Sequence, residues 1–324
     1  MKQIKCKANI TATGKYLPEK VLTNHDMEKL VETSDEWIQT RTGIRERRIV
    51  QNGQATVDMS TKAVRDLIEK IDLNPKEIDA IIVATITPDM VLPCSAALIQ
   101  KNINAINAWG YDLSAACSGF LFGLESGAAL IESERCKKVI VIGADTMSSI
   151  LNYKDRNTCI LFGDGAGAIV LGKQKKNKKS RIISTELYSD GRLYNLLYVD
   201  GGVSLNQKAG YLKMNGKEVF KHAITKLVKI VKLNLKKNNL KINDIDWIIP
   251  HQANKRIMVS TAKKLKIPFN KVLMTIEKHA NTSSASIPLT LDFAISKKII
   301  KRNQLILFEA IGGGLTWGCS LLKF

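Results

Sequence analysis

The chain has 324 residues, of which 45% are hydrophobic, so it can bury a sizeable core, and its length suggests about two domains. Its formal net charge is +19 at pH 7, which would attract nucleic acid, an anionic membrane or an acidic carrier protein. Aromatic residues make up only 6%, and no motif interleaves them with basic residues, which argues against nucleic acid. A lysine-rich composition without functional meaning is the alternative.

Residues 1–10 carry three lysines and lack the apolar run and cleavage site of a leader peptide. Nowhere do about 18 uncharged apolar residues follow one another, as a membrane-spanning helix requires. We therefore expect a cytoplasmic protein with no membrane partner. The six cysteines are widely spaced, and the four histidines show no ligand spacing with them, so neither a disulfide framework nor a metal site is indicated.

A repeated pattern begins at residues 73–82, where a polar helix end leads into a predicted apolar strand at 81–85. The pattern returns at residues 240–249, again with a strand, predicted at 247–250. A long amphipathic helix precedes each copy, and the second of these helices, at 216–239, has a basic exposed face. The chain therefore looks internally duplicated.

Cys117 is the most informative residue between the two copies. It lies among small side chains where a strand-like stretch passes into a helix-like one. A substrate carbonyl could approach there, and the dipole and free N–H groups of a helix start would favour the thiolate. The same N–H groups can hold an oxyanion. A buried cysteine with only a packing role is the alternative.

Residues 163–168 are rich in glycine but lack the Gly-Lys-Ser/Thr ending of a phosphate-binding loop. We predict a tight turn between strands there, with nucleotide binding as the alternative. Residues 172–180 contain five lysines and no hydrophobic residue, and we interpret them as a solvated loop. This loop divides the chain into residues 1–172, with the cysteine, and residues 173–324.

Continuous apolar strands indicate sheets that are covered on both faces. They are predicted at residues 139–143, 168–172 and 305–310.

His251 and Asn281 supply what a reactive cysteine needs. His251 directly follows the predicted strand 247–250, and Asn281 lies in a small polar stretch before a helix. Catalytic groups collect where strand ends lead into loops, and we place Cys117, His251 and Asn281 at such ends. The glycines 312–314 follow the strand 305–310 and mark a close approach of backbone and ligand, or simply a turn.

Four segments together resemble the β-ketoacyl-acyl-carrier-protein synthase III family. They are Ala-Ala-Cys117-Ser-Gly, His251-Gln-Ala-Asn254, Asn281-Thr-Ser and Gly312-Gly-Gly-Leu-Thr-Trp-Gly318. The resemblance covers essentially the whole chain and extends to residues 33–44 and 162–167. It implies an α/β, thiolase-like fold of two duplicated halves in α-β-α-β-α layers, and a homodimer. It also implies the initiating condensation of fatty-acid synthesis, in which an acyl-CoA primer, expected to be acetyl-CoA, reacts with malonyl-acyl-carrier protein.

The resemblance also assigns the chemistry. Cys117 would attack the primer thioester and hold the acyl group, while the N–H groups of Cys117 and Gly313 stabilise the oxyanion. His251 and Asn281 would donate hydrogen bonds to the malonyl thioester oxygen and stabilise the enolate left when carbon dioxide departs. No metal and no cofactor beyond the CoA thioester substrate is expected.

Binding residues carry over from the family by position. Trp37 and Arg156 resemble the pair that flanks the CoA adenine, Arg41 its phosphate partner, and Asn254 a group near the pantetheine arm. A second set, Lys221, Arg256 and Lys264, resembles the basic patch that binds the acidic carrier protein.

Departures leave the length and branching of the primer open, because some relatives carry an aromatic residue where this chain has Leu92, Ile311 or Leu315. Several other activities share the chemistry. A biosynthetic thiolase would need a cysteine at Ile311, and an elongating synthase a histidine at Asn281. A polyketide starter enzyme and a hydroxymethylglutaryl-CoA synthase fit the flanking segments less well. A cysteine hydrolase and a non-catalytic carrier-binding module are the alternatives of other classes.

Overall fold

The computed structural model describes residues 7–174 and 179–324. Cys6 and five of the lysines used above, Lys2, Lys5, Lys175, Lys176 and Lys178, lie outside these residues. The predicted division between residues 1–172 and 173–324 therefore stays a prediction.

The strands follow one another in this order: β1 (Ala8–Tyr16), β2 (Val21–Thr23), β3 (Glu46–Arg48), β4 (Ala80–Ala84), β5 (Trp109–Leu113), β6 (Lys138–Asp145), β7 (Gly165–Lys173), β8 (Arg181–Ser189), β9 (Leu197–Val199), β10 (Leu212–Met214), β11 (Trp247–Pro250), β12 (Leu305–Gly312) and β13 (Thr316–Lys323). The helices are α1 (Asn24–Glu28), α2 (Asp35–Thr42), α3 (Thr56–Ile71), α4 (Ser95–Asn102), α5 (Gly119–Glu132), α6 (Arg156–Cys159), α7 (Val203–Asn206), α8 (Gly216–Lys237), α9 (Lys255–Leu265), α10 (Ile276–His279) and α11 (Ser286–Ser296).

Two sheets with the same strand pattern form the framework. The first has the order β1-β7-β6-β4-β5. Its β1–β7 and β7–β6 pairs are antiparallel, and its β6–β4 and β4–β5 pairs are parallel. The second has the order β8-β13-β12-β11 with the same directions, and a parallel bridge between Ile248 and Val272 takes the place of β5. This correspondence confirms the predicted duplication.

Helices and sheets alternate in five layers. A core cluster in the middle joins α5 and α11 to both sheets, for example through Phe120, Leu291, Val141 and Phe308. A second cluster packs α3 and α4 on the outer face of the first sheet, and a third packs α8 and α9 on the second. The predicted α-β-α-β-α layering is therefore confirmed.

The sequence explains why α5 and α11 are the buried pair. Both helices are apolar over most of their circumference, and such helices belong inside a protein. By contrast, α8 buries one apolar stripe and exposes Lys217, Lys221, Lys232 and Lys236, as predicted.

The predicted tight turn at residues 163–168 is wrong. The segment does not connect two strands, because α6 precedes it, and Gly165 and Gly167 lie within β7. A Cβ atom at Gly167 would come within 2.8 Å of Pro288 and of the backbone of Leu289. These glycines therefore let α11 pack closely on β7.

Glu309 is an acidic side chain buried in β12, which pairs with β11 through the Pro250–Glu309 register. Its Oε2 atom has no hydrogen-bond partner among the described residues. Burial raises the pKa of this carboxyl to about 8, from an ordinary value of 4.5. Folded protein therefore carries Glu309 as the neutral acid at pH 7.

Replacing Glu309 with glutamine should stabilise the protein increasingly as the pH rises. Between pH 4.5 and 8 the unfolded chain has released a proton that the folded protein retains, so the free energy of unfolding falls with rising pH. In Glu309→Gln this fall is absent, and its stability relative to wild type should grow by about 1.4 kcal/mol per pH unit. Urea denaturation at pH 5, 6, 7 and 8 measures the difference.

The exposed Glu69 on α3 provides the control, as Glu69→Gln, for loss of a carboxyl at the surface. A constant stability difference between Glu309→Gln and wild type across this pH range would contradict the assignment.

Candidate active site

Cys117 lies in a tight turn at the start of α5. The turn is a short 3-10 helix, Ala116–Ser118, and Ala116 adopts a left-handed backbone with φ of 47°. Ser118 Oγ donates to the Ala115 carbonyl at 2.8 Å and contacts Thr316 Oγ1 at 2.7 Å. These bonds hold a backbone conformation that costs a non-glycine residue about 1–2 kcal/mol.

The same turn occurs in the second half of the chain. Ser283 has φ of 51°, Ser284 follows it, and α11 begins two residues later. Ser284 Oγ lies 2.8 Å from both the Ala84 carbonyl oxygen and Asp145 Oδ2. Ser284 therefore corresponds to Cys117 by position, but its hydroxyl is committed to the neighbouring sheet.

Gly312 brings the end of β12 against the cysteine turn. A Cβ atom at this position would lie 2.6 Å from the Cys117 nitrogen and 3.1 Å from the Ala116 Cβ. Any side chain at residue 312 would therefore displace the turn. The next residue, Gly313, faces the Leu197 carbonyl instead. A Cβ atom at residue 313 would lie 2.7 Å from the Leu197 carbonyl oxygen.

Cys117 is buried, with 7% of its surface exposed. Burial raises the pKa of its thiol to about 12, and nearby Asp145 raises it further while Ser283 opposes the change. This direction is opposite to the one expected from the helix start, because burial desolvates the thiolate and favours the neutral thiol. The Ser283 hydroxyl lowers the pKa of Cys117 through a short-range contact with the thiol, although Ser283 Oγ forms no hydrogen bond of regular geometry among the described residues.

His251 follows β11 directly, as predicted, and its ring is buried. Its Nδ1 atom lies 2.6 Å from Ser286 Oγ, and its backbone N–H donates to the Glu309 carbonyl at 2.7 Å. Burial lowers the pKa of His251 to about 3, so the imidazole is neutral at physiological pH.

Asn281 does not lie at a strand end, contrary to the prediction. It lies between α10 and α11, and a single parallel bridge joins it to Phe162. Its side-chain Oδ1 accepts a hydrogen bond from the Ser283 N–H at 2.9 Å. This contact turns the amide oxygen toward the Ser283 N–H and leaves the NH₂ group as the donor that Asn281 can offer to a ligand.

Cys117, His251 and Asn281 line one cavity of about 430 Å³. Apolar side chains such as Phe162, Leu197 and Ile311 form much of its wall, and Trp37, Lys217 and Arg256 also line it. A nucleophile, a neutral imidazole and an amide thus converge on a largely apolar pocket, an arrangement suited to acyl chemistry on a thioester.

Comparison with known proteins identifies the family. Residues 111–191 match 3-oxoacyl-[acyl-carrier-protein (ACP)] synthase III, and residues 235–324 match the C-terminal part of the same family. A β-ketoacyl-[acyl-carrier-protein] synthase III from Wolbachia pipientis wMel is 50% identical over 319 residues, covering 98% of this chain and 99% of the relative. The chain belongs to the β-ketoacyl-[acyl-carrier-protein] synthase III family.

Two further relatives agree. A synthase III from Paramagnetospirillum magneticum is 46% identical over 320 residues, with 98% of this chain and 99% of the relative covered. The crystal structure of 3-oxoacyl-[acyl-carrier-protein] synthase III from Aquifex aeolicus VF5 is similar with a TM-score of 0.93 and 44% identity, covering 98% and 100% of the two chains. As a synthase III, the chain is a thiolase-like acyltransferase of fatty-acid synthesis.

The residues expected to bind CoA lie at or beside the cavity. Trp37 and Arg41 on α2 and Asn254 at the start of α9 line it. The Arg156 guanidinium packs over the Trp37 ring at 5.2 Å and donates to the Glu32 carbonyl at 2.8 Å. An adenine between these two side chains therefore requires Arg156 to move away from Trp37.

The residues expected to bind the carrier protein are exposed on α8 and α9. Arg256 lines the cavity and lies over the Phe220 ring at 5.4 Å, so it joins the pocket to the surface. Lys221 is 3.8 Å from Glu218, and Lys264 is exposed near the end of α9. We refer to these three exposed positions as the basic surface; among them, Arg256 lines the cavity.

Some relatives carry an aromatic residue at the positions of Leu92, Ile311 and Leu315, and these three positions differ in their burial and in their place relative to the cavity. Ile311 lines the cavity, and Leu315 is fully buried in the same small cluster. Leu92 is 83% exposed and does not line the cavity of this chain.

Ser286 and Glu309 contact His251 or its backbone and were not identified from the sequence. Ser286 belongs to a serine-rich stretch that is typical of a helix start, and it is 35 residues away from His251. Nothing in a single sequence links the two residues, because their contact depends on α11 packing against the end of β11.

Metal-binding clusters of three or more His, Cys, Asp or Glu residues are absent from the described parts of the chain. Within those parts the cysteines 94, 117, 136, 159 and 319 are free. No helix formed by residues 7–174 or 179–324 is long and apolar enough to cross a membrane.

The raised pKa of Cys117 predicts how its alkylation depends on pH. Only the thiolate reacts with iodoacetamide, so for a pKa of about 12 the rate should rise about tenfold per pH unit from pH 7 to 9.5 without levelling off. Peptide mass spectrometry separates Cys117 from the other cysteines, and Cys117→Ala is the blank. A plateau below pH 8 would show instead that the helix start prevails over burial.

Proposed function

We propose that the chain catalyses the initiating condensation of fatty-acid synthesis, in which acetyl-CoA and malonyl-acyl-carrier protein give acetoacetyl-carrier protein, CoA and carbon dioxide. The observation that carries the proposal is the convergence of Cys117, His251 and Asn281 on one cavity. Family membership supports the reaction class, and the residues of the cavity support the assignment of each step.

In the first step the Cys117 sulfur attacks the acetyl-CoA carbonyl. The sulfur–carbon bond forms, the bond to the CoA sulfur breaks, and the thiol proton leaves with the CoA thiolate. The raised pKa of Cys117 fits this order, because a free thiolate is disfavoured before substrate arrives. The N–H groups of Cys117 and Gly313 are proposed to stabilise the tetrahedral oxyanion.

In the second step malonyl-carrier protein loses its carboxylate as carbon dioxide. The electron pair of the broken carbon–carbon bond passes into an enolate, whose oxygen accepts hydrogen bonds from His251 and Asn281. The enolate carbon then attacks the acetyl group, the Cys117 thiolate leaves, and a proton from solvent restores the thiol. Neutral donors suit this role, because they stabilise the enolate without giving up a proton to it.

A homodimer is proposed as the working form. The edge strand β5 begins at Trp109, which is 44% exposed, and the nearby Ile106 is exposed as well. Met90, Val91 and Leu92 form a second exposed apolar stretch ahead of α4. An unpaired strand edge with exposed apolar side chains is typical of a surface that a second copy covers. The cytoplasm is the proposed location.

Substitutions in the cavity should separate the two steps. Cys117→Ala should show no acetyl adduct by intact mass after incubation with acetyl-CoA, whereas His251→Ala and Asn281→Ala should still be acetylated. Both of the latter should decarboxylate malonyl-carrier protein about 10²–10³-fold more slowly, because each removes one enolate donor. An adduct that persists in Cys117→Ala would place the nucleophile elsewhere, and release of free acetate without condensation would indicate a hydrolase.

Charge reversal on the basic surface should weaken carrier binding. Lys221→Glu with Arg256→Glu should raise the Kd for malonyl-carrier protein by at least about tenfold at low salt, and the loss should shrink as salt screens the charges. Lys232→Glu, on the same helix but outside the proposed surface, is the control. Equal Kd values for the double variant and this control at low salt would rule out the docking surface.

A further inference from the structure

The contact between His251 and Ser286 is the closest polar contact of the catalytic imidazole. His251 Nδ1 lies 2.6 Å from Ser286 Oγ, and the two residues are 5% and 2% exposed. A buried hydrogen bond of this length excludes water as a competing partner for Nδ1.

The hydrogen-bond pattern around Ser286 indicates the direction of this bond. Its Oγ atom already accepts a hydrogen bond from the Gln252 N–H at 3.3 Å. A serine hydroxyl has one hydrogen to donate, and a neutral imidazole has one nitrogen that accepts. Ser286 is the first residue of α11, but its hydroxyl does not cap that helix. The Ser286 hydroxyl hydrogen therefore points to His251 Nδ1, the acceptor that lies 2.6 Å from Ser286 Oγ.

We propose that Ser286 is a positioning residue that donates to His251 Nδ1 and so fixes the imidazole in the tautomer with its hydrogen on Nε2. This inference rests on the proposed role of His251 as a donor to the enolate oxygen. The Nε2–H bond would then be the hydrogen-bond donor that His251 offers to a substrate in the cavity.

The tautomer matters because His251 is neutral. Burial keeps its pKa at about 3, so only one ring nitrogen carries a hydrogen. If that hydrogen were on Nδ1, Nε2 would present a lone pair to the enolate oxygen, and the contact would repel instead of stabilising. A neutral histidine can serve as a donor here only if another group holds Nδ1 as an acceptor.

One short segment would then orient both donors of the site. Asn281 begins it, with Oδ1 held by the Ser283 N–H at 2.9 Å, and Ser286 ends it, with its hydroxyl on His251. The segment contacts Asn281 Oδ1 and His251 Nδ1, the two acceptor atoms that would repel the enolate oxygen. The NH₂ group of Asn281 and the Nε2–H group of His251 then face the substrate.

The test compares three substitutions on α11. Ser286→Ala removes the hydroxyl, Ser286→Thr retains it, and Thr290→Val removes a buried hydroxyl that contacts Thr275 and the Ser286 carbonyl but not His251. We expect Ser286→Ala to lose about 10- to 100-fold in malonyl-carrier-protein decarboxylation, by analogy with the groups that orient metal-binding imidazoles in metalloenzymes. Ser286→Thr should recover most of it, and acetylation of Cys117 should be unchanged in all three variants.

The outcome separates this inference from the proposed function. If His251→Ala loses decarboxylation but Ser286→Ala does not, the positioning role is wrong and the role of His251 stands. If His251→Ala also decarboxylates normally, the proposed function of His251 itself fails. A loss in Thr290→Val equal to that in Ser286→Ala would reduce Ser286 to a packing residue.

Nitrogen-15 NMR of the wild-type protein tests the tautomer without any change to Ser286. The spectrum of His251→Ala identifies the His251 signals among the four histidines. We expect a hydrogen on Nε2 and an unprotonated Nδ1 at pH 7. A hydrogen on Nδ1 would overturn the proposal even if the Ser286 variants do not fold.

Discussion

The packing of α5 and α11 between the two sheets is the constraint on which the site depends. Because both helices are apolar and lie in the middle layer, the turns that precede them meet near the centre of the molecule. Cys117 precedes α5, Ser286 is the first residue of α11, and Asn281 lies in the segment that leads into α11. Gly143 lets this meeting happen, since a Cβ there would lie 2.3 Å from the Ser284 carbonyl oxygen.

Burial in that layer also sets the charge state of the site. It raises the pKa of Cys117 and lowers that of His251, so that both residues are neutral before substrate binds. The chemistry proposed here begins with a thiol, an imidazole and an amide, and charge develops only on the thioester as it reacts. A low-dielectric pocket with fixed N–H groups is effective for this, because the groups need no reorganisation when the charge appears.

Much of the fold and part of the site could be predicted from the sequence. Continuous apolar runs identified β4, β6, β7, β11 and β12 because strands covered on both faces need such runs. Cys117 and His251 were found because each adjoins a strand. Three predictions failed for a shared reason: the strand end at Asn281, the turn at residues 163–168 and the lowered pKa of Cys117. Each depends on the packing of α11 or α5 in the middle layer, which cannot be inferred from a local sequence pattern.

The contacts of Ser284 determine how many acyl groups one duplicated chain can carry. The second half retains the same left-handed turn and buried helix as the first, but its side chain at the nucleophile position is tied to Ala84 and Asp145. Each chain should therefore carry a single acyl group, so that a saturated pair of chains holds two such groups and not four.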